Sequence, residues 1–242
     1  MELSVFQKGF NFSQDGPGNR LVYHLQGCNL RCPWCSNPEG LACRGGTRVS
    51  VSELKEEALR SVPMFFEHGG VTLTGGEVTL QLEGVKALLT ELKQAGIHTA
   101  IETNGLSPRL KELLPLVDYL MIDCKHYDPE RHRSVTGLAN DILFENIRLA
   151  VTQNKAPAVR IPLIGGFNAS AEDAEQFARL FLRLGLRENG TVELLPYHEY
   201  GRDKYRALGM TYTMTEQAKV SPETVAEMTR ILQSHGLRVI RS

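Results

Sequence analysis

Three cysteines crowd into one short stretch of the sequence, GCNLRCPWCSNPEG, directly after the first predicted strand. Cys28, Cys32 and Cys35 are soft ligands, and their spacing lets them wrap a single compact metal centre. Iron-sulfur cubanes normally take four cysteines, so a group of three indicates that one iron is left open for an exogenous ligand. The cysteines therefore predict a metal centre with an open coordination position.

A structural zinc site is the main alternative at this position. Zinc prefers four closed ligands, and Cys43 or His24 could complete such a set. Buried thiols without a metal are disfavoured, because Pro33 and Asn37 mark a loop, where apolar packing of a thiol gains little. The spacing alone leaves both an iron-sulfur cluster and zinc open.

Strand-like and helix-like segments alternate along the rest of the chain. Apolar, β-rich runs predict six short strands, at residues 20–26, 70–74, 97–102, 117–123, 157–163 and 191–195. Apolar positions at three- and four-residue spacing predict helices at residues 51–62, 80–95, 107–115, 141–153, 171–184 and 222–235. Residues 36–50 and 200–220 are predicted to be irregular. This alternation is typical of βα units with a parallel sheet, and it predicts an α/β fold, a partial (β/α)₆ TIM-like barrel formed by one domain over residues 1–242.

The composition argues against several classes of partner. Apolar residues make up 42% of the chain, and the formal net charge is -1. Without an excess of basic residues, nucleic acids and anionic membranes are poor partners. The first residues lack the apolar core of a signal peptide, and no stretch of about 18 apolar residues is present to span a bilayer. We expect a cytoplasmic protein, in which crowded cysteines point to metal rather than disulfides.

The cysteine loop resembles the signature of the radical SAM superfamily, CxxxCxΦC, with an aromatic residue before the last cysteine. Cys28, Cys32, Trp34 and Cys35 match this signature. The whole chain resembles the glycyl radical enzyme activases, in the segments SQDGPGNR at 13–20, LTGGEVTLQ at 73–81, IETNG at 101–105, MIDCK at 121–125, VRIPLIGG at 159–166 and LLPYHEYGRDKY at 194–205. Many activases insert a ferredoxin-like segment after the first loop. This chain has only GLACRGGTRVS there, so it resembles the short form with a single cluster.

The resemblance implies one [4Fe-4S] cluster on the three cysteines, with the fourth iron chelated by S-adenosylmethionine (SAM). It implies that SAM is cleaved reductively to a 5′-deoxyadenosyl radical, which abstracts a hydrogen atom from a backbone glycine of a partner enzyme. No catalytic side chain is expected beyond cluster and SAM, because the step is homolytic. A flavodoxin or ferredoxin is the implied electron donor, and we expect a monomer.

The resemblance also implies which residues bind SAM. Gly75, Gly76 and Glu77 end the second predicted strand, where a glycine pair lets a ligand approach the backbone closely. The remaining implied SAM contacts are Trp34, Glu102, Thr103, Asp123, Lys125, Arg160, Leu195 and His198. Some members of the family also use a monovalent cation here, and Glu102 stands where pyruvate formate-lyase activase has aspartate. Asp15 and Asn37 match positions that meet the glycine loop of the partner.

Taken singly, these residues also have purely structural explanations. A glycine pair is an ordinary strand-to-helix turn, and Asp15 is a common turn former. Lys125 and Arg160 are typical members of ion pairs, and His198 is typical of a solvated loop. Trp34 and Leu195 are typical core residues.

The predicted strands supply an argument that does not depend on the resemblance. Six residues are predicted at or just past the ends of successive strands, namely Cys28, Gly76, Glu102, Lys125, Arg160 and His198. Parallel barrels place their sites at this edge of the sheet. Two other functions stay open: a radical SAM enzyme that acts on a small molecule, and a non-catalytic zinc or iron-sulfur module. No role is assigned to Cys43 or Cys124.

Overall fold

The computed structural model describes residues 1–12 and 14–240; Ser13, which begins the SQDGPGNR motif, lies outside the described residues. The strands are β1 (Glu2–Asn11), β2 (Arg20–Leu25), β3 (Thr47–Ser50), β4 (Gly70–Gly75), β5 (Thr99–Thr103), β6 (Tyr119–Asp123), β7 (Ala158–Leu163), β8 (Thr191–Pro196) and β9 (Val239–Ile240). The helices are α1 (Val51–Ser61), α2 (Leu82–Gln94), α3 (Pro129–Thr136), α4 (Asp141–Thr152), α5 (Ala171–Arg183), α6 (Arg202–Ala207) and α7 (Pro222–Ser234).

The strands form one sheet in the order β3-β1-β2-β4-β5-β6-β7-β8-β9. The six predicted strands are β2 and β4 to β8, and the pairs β2-β4, β4-β5 and β7-β8 run parallel. The predicted α/β fold with successive βα units is therefore confirmed. The sequence did not predict β1 and β3, which are antiparallel additions at one edge, or β9 at the other.

The chain divides into two compact units. The N-terminal unit contains Met1–Asn29 and Glu39–Met121, and the C-terminal unit contains Leu30–Pro38 and the described residues from Ile122 onwards. The N-terminal unit carries α1 and α2, and the C-terminal unit carries α3 to α7. The prediction of a single domain over residues 1–242 stays a prediction.

Local sequence explains where the helices begin. Ser50 starts α1 in a capping box with Glu53, since each side chain bonds the other residue's backbone N–H. Ser170 and Asp173 form the same arrangement at the start of α5. Ser221 caps α7, whose first residue is a proline, and proline is well suited to that position because its missing N–H would have no helical partner.

Three predictions of secondary structure were wrong or incomplete. The helix predicted at 107–115 is two short 3₁₀ turns, Leu110–Glu112 and Leu114–Leu116, because Pro115 cannot continue an α-helix. The irregular segment 36–50 contains β3, and the irregular segment 200–220 contains α6. Helix α3 was not predicted, because it has little apolar periodicity; it forms between an Asp128 cap and Gly137 in the left-handed conformation.

Within the described residues, no helix is both long enough and apolar enough to cross a membrane.

Burial of His132 in α3 predicts a sensitivity of the fold to acid. Only 1% of this residue is exposed, and burial lowers the pKa of its imidazole to about 4, although Nδ1 lies 2.5 Å from the Leu138 carbonyl oxygen. Between about pH 6.5 and pH 4 the unfolded chain binds a proton that the folded imidazole does not, so stability falls as the pH falls through this window.

We expect His132→Gln to flatten this dependence of the free energy of unfolding on pH, measured by urea denaturation. The matched control is His68→Gln, because His68 is exposed. Equal slopes in the two variants across this window would contradict the assignment.

Candidate active site

The cysteines lie in the loop that follows β2. Cys32 is buried, whereas Cys28 and Cys35 are half-buried, and the five cysteines of the chain, all within the described residues, are thiols rather than disulfides. Soft sulfur donors that lie close together in the sequence are the ligand type that an iron-sulfur cluster takes. Among residues 1–12 and 14–240, no three His, Cys, Asp or Glu side chains are grouped so as to hold a metal ion.

In the C-terminal unit, the start of α6 holds the turn between the second and third cysteines. The N–H of Cys35 donates to the Cys32 carbonyl at 3.1 Å, and the Tyr205 hydroxyl donates to the same carbonyl at 3.4 Å. A β-carbon at Gly201 would clash with the Cys35 carbonyl, so only glycine lets α6 approach this closely. The GRDKY part of the last motif thus supports the cysteine loop.

In the N-terminal unit, the glycine pair after β4 lies against the residue that precedes the first cysteine. Gly76 N–H donates to the Leu25 carbonyl at 2.8 Å, and Glu77 N–H donates to the Gly27 carbonyl at 2.7 Å. A side chain at Gly76 would clash with the Gly27 carbonyl, and Gly75 has a φ of +107°. Both glycines are therefore required to bring this backbone beside Cys28.

The Glu77 carboxylate is fully buried and joins the loops after β4 and β5. Oε1 accepts from Thr79 N–H at 3.0 Å, from the Thr79 hydroxyl at 2.6 Å and from the Thr103 hydroxyl at 2.7 Å. Oε2 accepts from Asn104 N–H at 2.8 Å. With four hydrogen bonds inside the protein, the carboxylate orders the glycine pair relative to the loop after β5.

The loop after β5 is fixed further by neighbouring polar groups. Glu102 Oε2 accepts from the Thr74 hydroxyl at 2.7 Å, and the Thr103 hydroxyl also accepts from Gly105 N–H at 3.0 Å. Asn104 donates to the Asn29 side-chain oxygen at 2.7 Å, which links this loop to the residue after Cys28. The N-terminal unit therefore brings Cys28, the glycine pair, Glu102 and Thr103 to one edge of its sheet.

In the C-terminal unit, Lys125 and Asp123 form an ion pair at the end of β6. Lys125 Nζ lies 2.7 Å from Asp123 Oδ2, and the side chains are 8% and 20% exposed. Such a low-exposure pair holds the ammonium in one place, which a solvated surface lysine would not achieve.

Arg160 departs from the predicted arrangement. It is the third residue of β7, in the middle of the strand. Four other residues of the predicted set follow the ends of their strands, and Glu102 is the next-to-last residue of β5. Its Nε donates to Glu193 Oε2 at 2.7 Å, and both side chains are almost fully buried. The predicted position at the strand end was wrong, since the strand expected at residues 157–163 itself runs three residues beyond Arg160, as β7 does.

Other predicted residues of the C-terminal unit have identifiable neighbours. The Trp34 ring packs on Phe167, with 5.3 Å between the centroids. The His198 ring stacks on Tyr200 at 4.0 Å, and burial lowers the pKa of His198, so its imidazole is neutral at neutral pH. Leu195 is half-buried in β8, and Asn37 Oδ1 accepts from Lys204 Nζ at 3.0 Å.

Asp15 belongs to the N-terminal unit and lies in the turn before β2. Its side chain accepts from Asn11, and its backbone carbonyl accepts from the Thr72 hydroxyl at 2.6 Å. Thr72 in turn accepts from Nε of Arg20, a fully buried guanidinium whose pKa burial lowers to about 10. These bonds explain the turn itself, since Arg20 also donates to the Pro17 carbonyl.

Comparison with known proteins agrees with the motifs. The profile of the Radical SAM superfamily matches residues 22–181. The chain belongs to this superfamily. It is 35% identical over 260 residues to the Pyruvate formate-lyase 2-activating enzyme of Escherichia coli, covering 93% of this chain and 87% of the relative. It is 32% identical over 231 residues to the Pyruvate formate-lyase 1-activating enzyme of the same organism, covering 93% of each chain.

These identities show that the radical SAM chain is a member of the family of pyruvate formate-lyase activating enzymes. A crystal structure of a radical SAM methyltransferase from Sphaerobacter thermophilus superimposes with a TM-score of 0.73 at 18% identity, over 96% of this chain and 68% of that one, which shows the shared fold. Membership of the superfamily implies SAM and a [4Fe-4S] cluster as cofactors.

Four asparagines that hold the loops of the radical SAM fold were not predicted from the sequence. Asn104 bonds Asn29 in the N-terminal unit, and Asn140 and Asn168 donate to backbone carbonyls after β6 in the C-terminal unit. The only sequence signal was their position in loops that follow or join predicted strands, which does not distinguish them from solvated asparagines. The hydrogen bond from Tyr205 to the Cys32 carbonyl could not be predicted either, because the segment that forms α6 was predicted to be irregular.

We predict that Glu77→Gln destabilises the radical SAM fold by about 1–3 kcal/mol. Both carboxylate oxygens of Glu77 accept hydrogen bonds, and the NH₂ group of glutamine cannot accept, so at least one buried donor would lose its partner. The free energy of unfolding in urea measures this change. Glu83→Gln is the control, since that side chain is 61% exposed and should change stability by less than about 0.5 kcal/mol. Equal stabilities for the two variants would refute a clamping role for Glu77.

Proposed function

We propose that this chain is a glycyl radical enzyme activase whose partner is a glycyl radical enzyme of the pyruvate formate-lyase type. The observation that carries the proposal is the similarity to pyruvate formate-lyase activating enzymes over nearly the whole chain, rather than over the cysteine loop alone. The short segment between the cysteine loop and β3 supports an activase with one cluster.

In this proposal Cys28, Cys32 and Cys35 would hold three irons of the cluster, and the fourth iron would be left for SAM. When bound, the two cofactors supply a 5′-deoxyadenosyl radical that takes a hydrogen atom from a backbone glycine of the partner. The protein binds and orients SAM and keeps water and stray hydrogen donors away. No side chain has to act as a general base.

We assign the SAM amino and carboxylate groups to residues at the ends of strands. Backbone carbonyls of Gly75 and Gly76 would accept from the ammonium, supported by the close approach that only glycine permits. The low exposure of the Lys125 ammonium supports a charge-assisted bond to the SAM carboxylate. His198, which burial keeps neutral, would add one further hydrogen bond.

The other assignments follow the family pattern. Glu102 and Thr103 would contact the amino group, and the half-buried Glu102 carboxylate and Thr103 hydroxyl offer the oxygen ligands that a monovalent cation prefers. Glu77, the residue that follows the glycine pair, would also belong to the SAM-binding site. The remaining SAM contacts in this proposal are Trp34, Asp123, Arg160 and Leu195.

Contacts with other proteins are also part of the proposal. Asp15 and Asn37 would meet the glycine loop of the partner, and a flavodoxin or ferredoxin would supply the electron. We propose that the chain acts as a monomer and a single functional domain, in the cytoplasm, where a reducing environment preserves cysteine thiolates.

The direct test is anaerobic mixing of the reconstituted, reduced protein and SAM with candidate glycyl radical enzymes, with detection by electron paramagnetic resonance. We expect a glycyl radical on one candidate and none with Cys32→Ala, which removes a cluster ligand. SAM cleavage that proceeds without producing a radical on any candidate would refute an activase and favour a small-molecule substrate.

We predict that His198→Ala keeps the cluster but weakens SAM binding by about 3- to 10-fold, the effect of one lost hydrogen bond. Iron content and isothermal titration with SAM under anaerobic conditions measure the two properties. Tyr200→Leu is the matched control, because it removes the ring that stacks on His198 and leaves the imidazole. An unaltered SAM affinity in His198→Ala would remove His198 from the binding site.

A further inference from the structure

Two buried asparagines hold the backbone of the segment that carries Lys125. Asn168 Nδ2 donates to the carbonyl of Lys125 at 2.8 Å, and Asn140 Nδ2 donates to the carbonyl of His126 at 2.5 Å. Both asparagines are 0% exposed. Side chains from two other segments of the C-terminal unit therefore bind consecutive carbonyls directly after β6.

The orientation of the Asn168 amide follows from its partners. Nδ2 donates a second hydrogen bond to the Pro162 carbonyl at 2.8 Å, and Oδ1 accepts from Ile164 N–H at 2.8 Å. Since an N–H can only donate and a carbonyl can only accept, these three bonds allow one orientation of the amide. Asn168 thus ties the loop after β7 to the loop after β6.

The residues on either side of Lys125 are also held. Cys124 N–H donates to the Arg160 carbonyl at 2.7 Å, and the buried Cys124 thiol lies 3.6 Å from the His126 carbonyl oxygen. Asp128 N–H donates to the His126 ring at 2.9 Å. With its backbone fixed on both sides, Lys125 has little freedom beyond its own side-chain torsions.

A fixed backbone matters because a lysine side chain loses rotamer entropy when it is ordered. The ion pair with Asp123 holds the ammonium from one side, and the two asparagines fix the Cα from which the side chain extends. Preorganisation of this kind lowers the entropy that a ligand must supply on binding.

We propose that Asn168 and Asn140 are positioning residues for SAM binding, which act through Lys125 by holding its ammonium where the carboxylate of SAM docks. This inference rests on the SAM contact that the proposed function assigns to Lys125. A purely structural role would make the same asparagines matter for stability, but it would not make their effect on SAM affinity depend on Lys125.

The test is a double-mutant cycle on the anaerobically reconstituted protein, with the dissociation constant of SAM measured by isothermal titration. We expect Asn168→Ala to weaken SAM binding by about 10-fold, Asn140→Ala to weaken it by a smaller factor, and Lys125→Ala to weaken it by at least as much as Asn168→Ala. We expect the double variant Asn168→Ala with Lys125→Ala to bind SAM no more weakly than Lys125→Ala alone.

The matched control is Asn189→Ala. Asn189 also donates its side chain to a backbone carbonyl in the C-terminal unit, that of Val151 at 3.2 Å, and its loss should leave SAM affinity unchanged. If Asn168→Ala does not fold, as judged by circular dichroism and iron content, Asn140→Ala alone and combined with Lys125→Ala carries the same test.

The outcomes separate the inference from the proposed function. Weaker binding by Lys125→Ala with unchanged binding by both asparagine variants would overturn the positioning role and leave the Lys125 contact intact. A double variant whose loss of SAM affinity equals the product of the two single fold-changes would also overturn it. Unchanged binding by Lys125→Ala would remove both the contact and the inference, whereas the glycyl radical experiment would still judge the activase function.

Discussion

Backbone groups at the ends of the parallel strands lose their partners in the sheet, and the loops that follow have no regular hydrogen bonding of their own. In the N-terminal unit the buried Glu77 carboxylate supplies partners for the loops after β4 and β5. In the C-terminal unit Asn140 and Asn168 do the same for the loops after β6 and β7. Because the glycine pair and Thr103 lie at the ends of β4 and β5 in one unit, and Lys125 follows β6 in the other, the order of the candidate residues within each unit depends on satisfying that constraint.

The backbone of the cysteine loop also needs hydrogen-bond partners, and it finds one of them in α6. Its second and third cysteines form a turn that α6 supports through Tyr205 and through the absence of a side chain at Gly201. Three soft donors in one loop suit a cluster in which one iron stays accessible.

Much of the fold could be predicted because buried parallel strands are continuous apolar runs, and all six of them were found. The missed β1 has an exposed second half, with only Leu3 and Val5 buried, so its sequence carries a weak apolar signal. Helix α3 was not predicted because its capping residues, rather than a pattern of apolar residues, define it. The cysteine spacing predicted the chemistry of the site. The roles of Asn140 and Asn168 could not be predicted, because they depend on hydrogen bonds to carbonyls that are distant in the sequence.

The central claim is that the three thiolates leave one iron of a cubane open to SAM. Mössbauer spectroscopy of the iron in the reconstituted protein, recorded with and without SAM, tests it most directly. The account predicts about four irons per chain, of which one changes its parameters when SAM is added. Four irons that all stay unchanged by SAM, or a colourless protein that retains zinc instead, would contradict it.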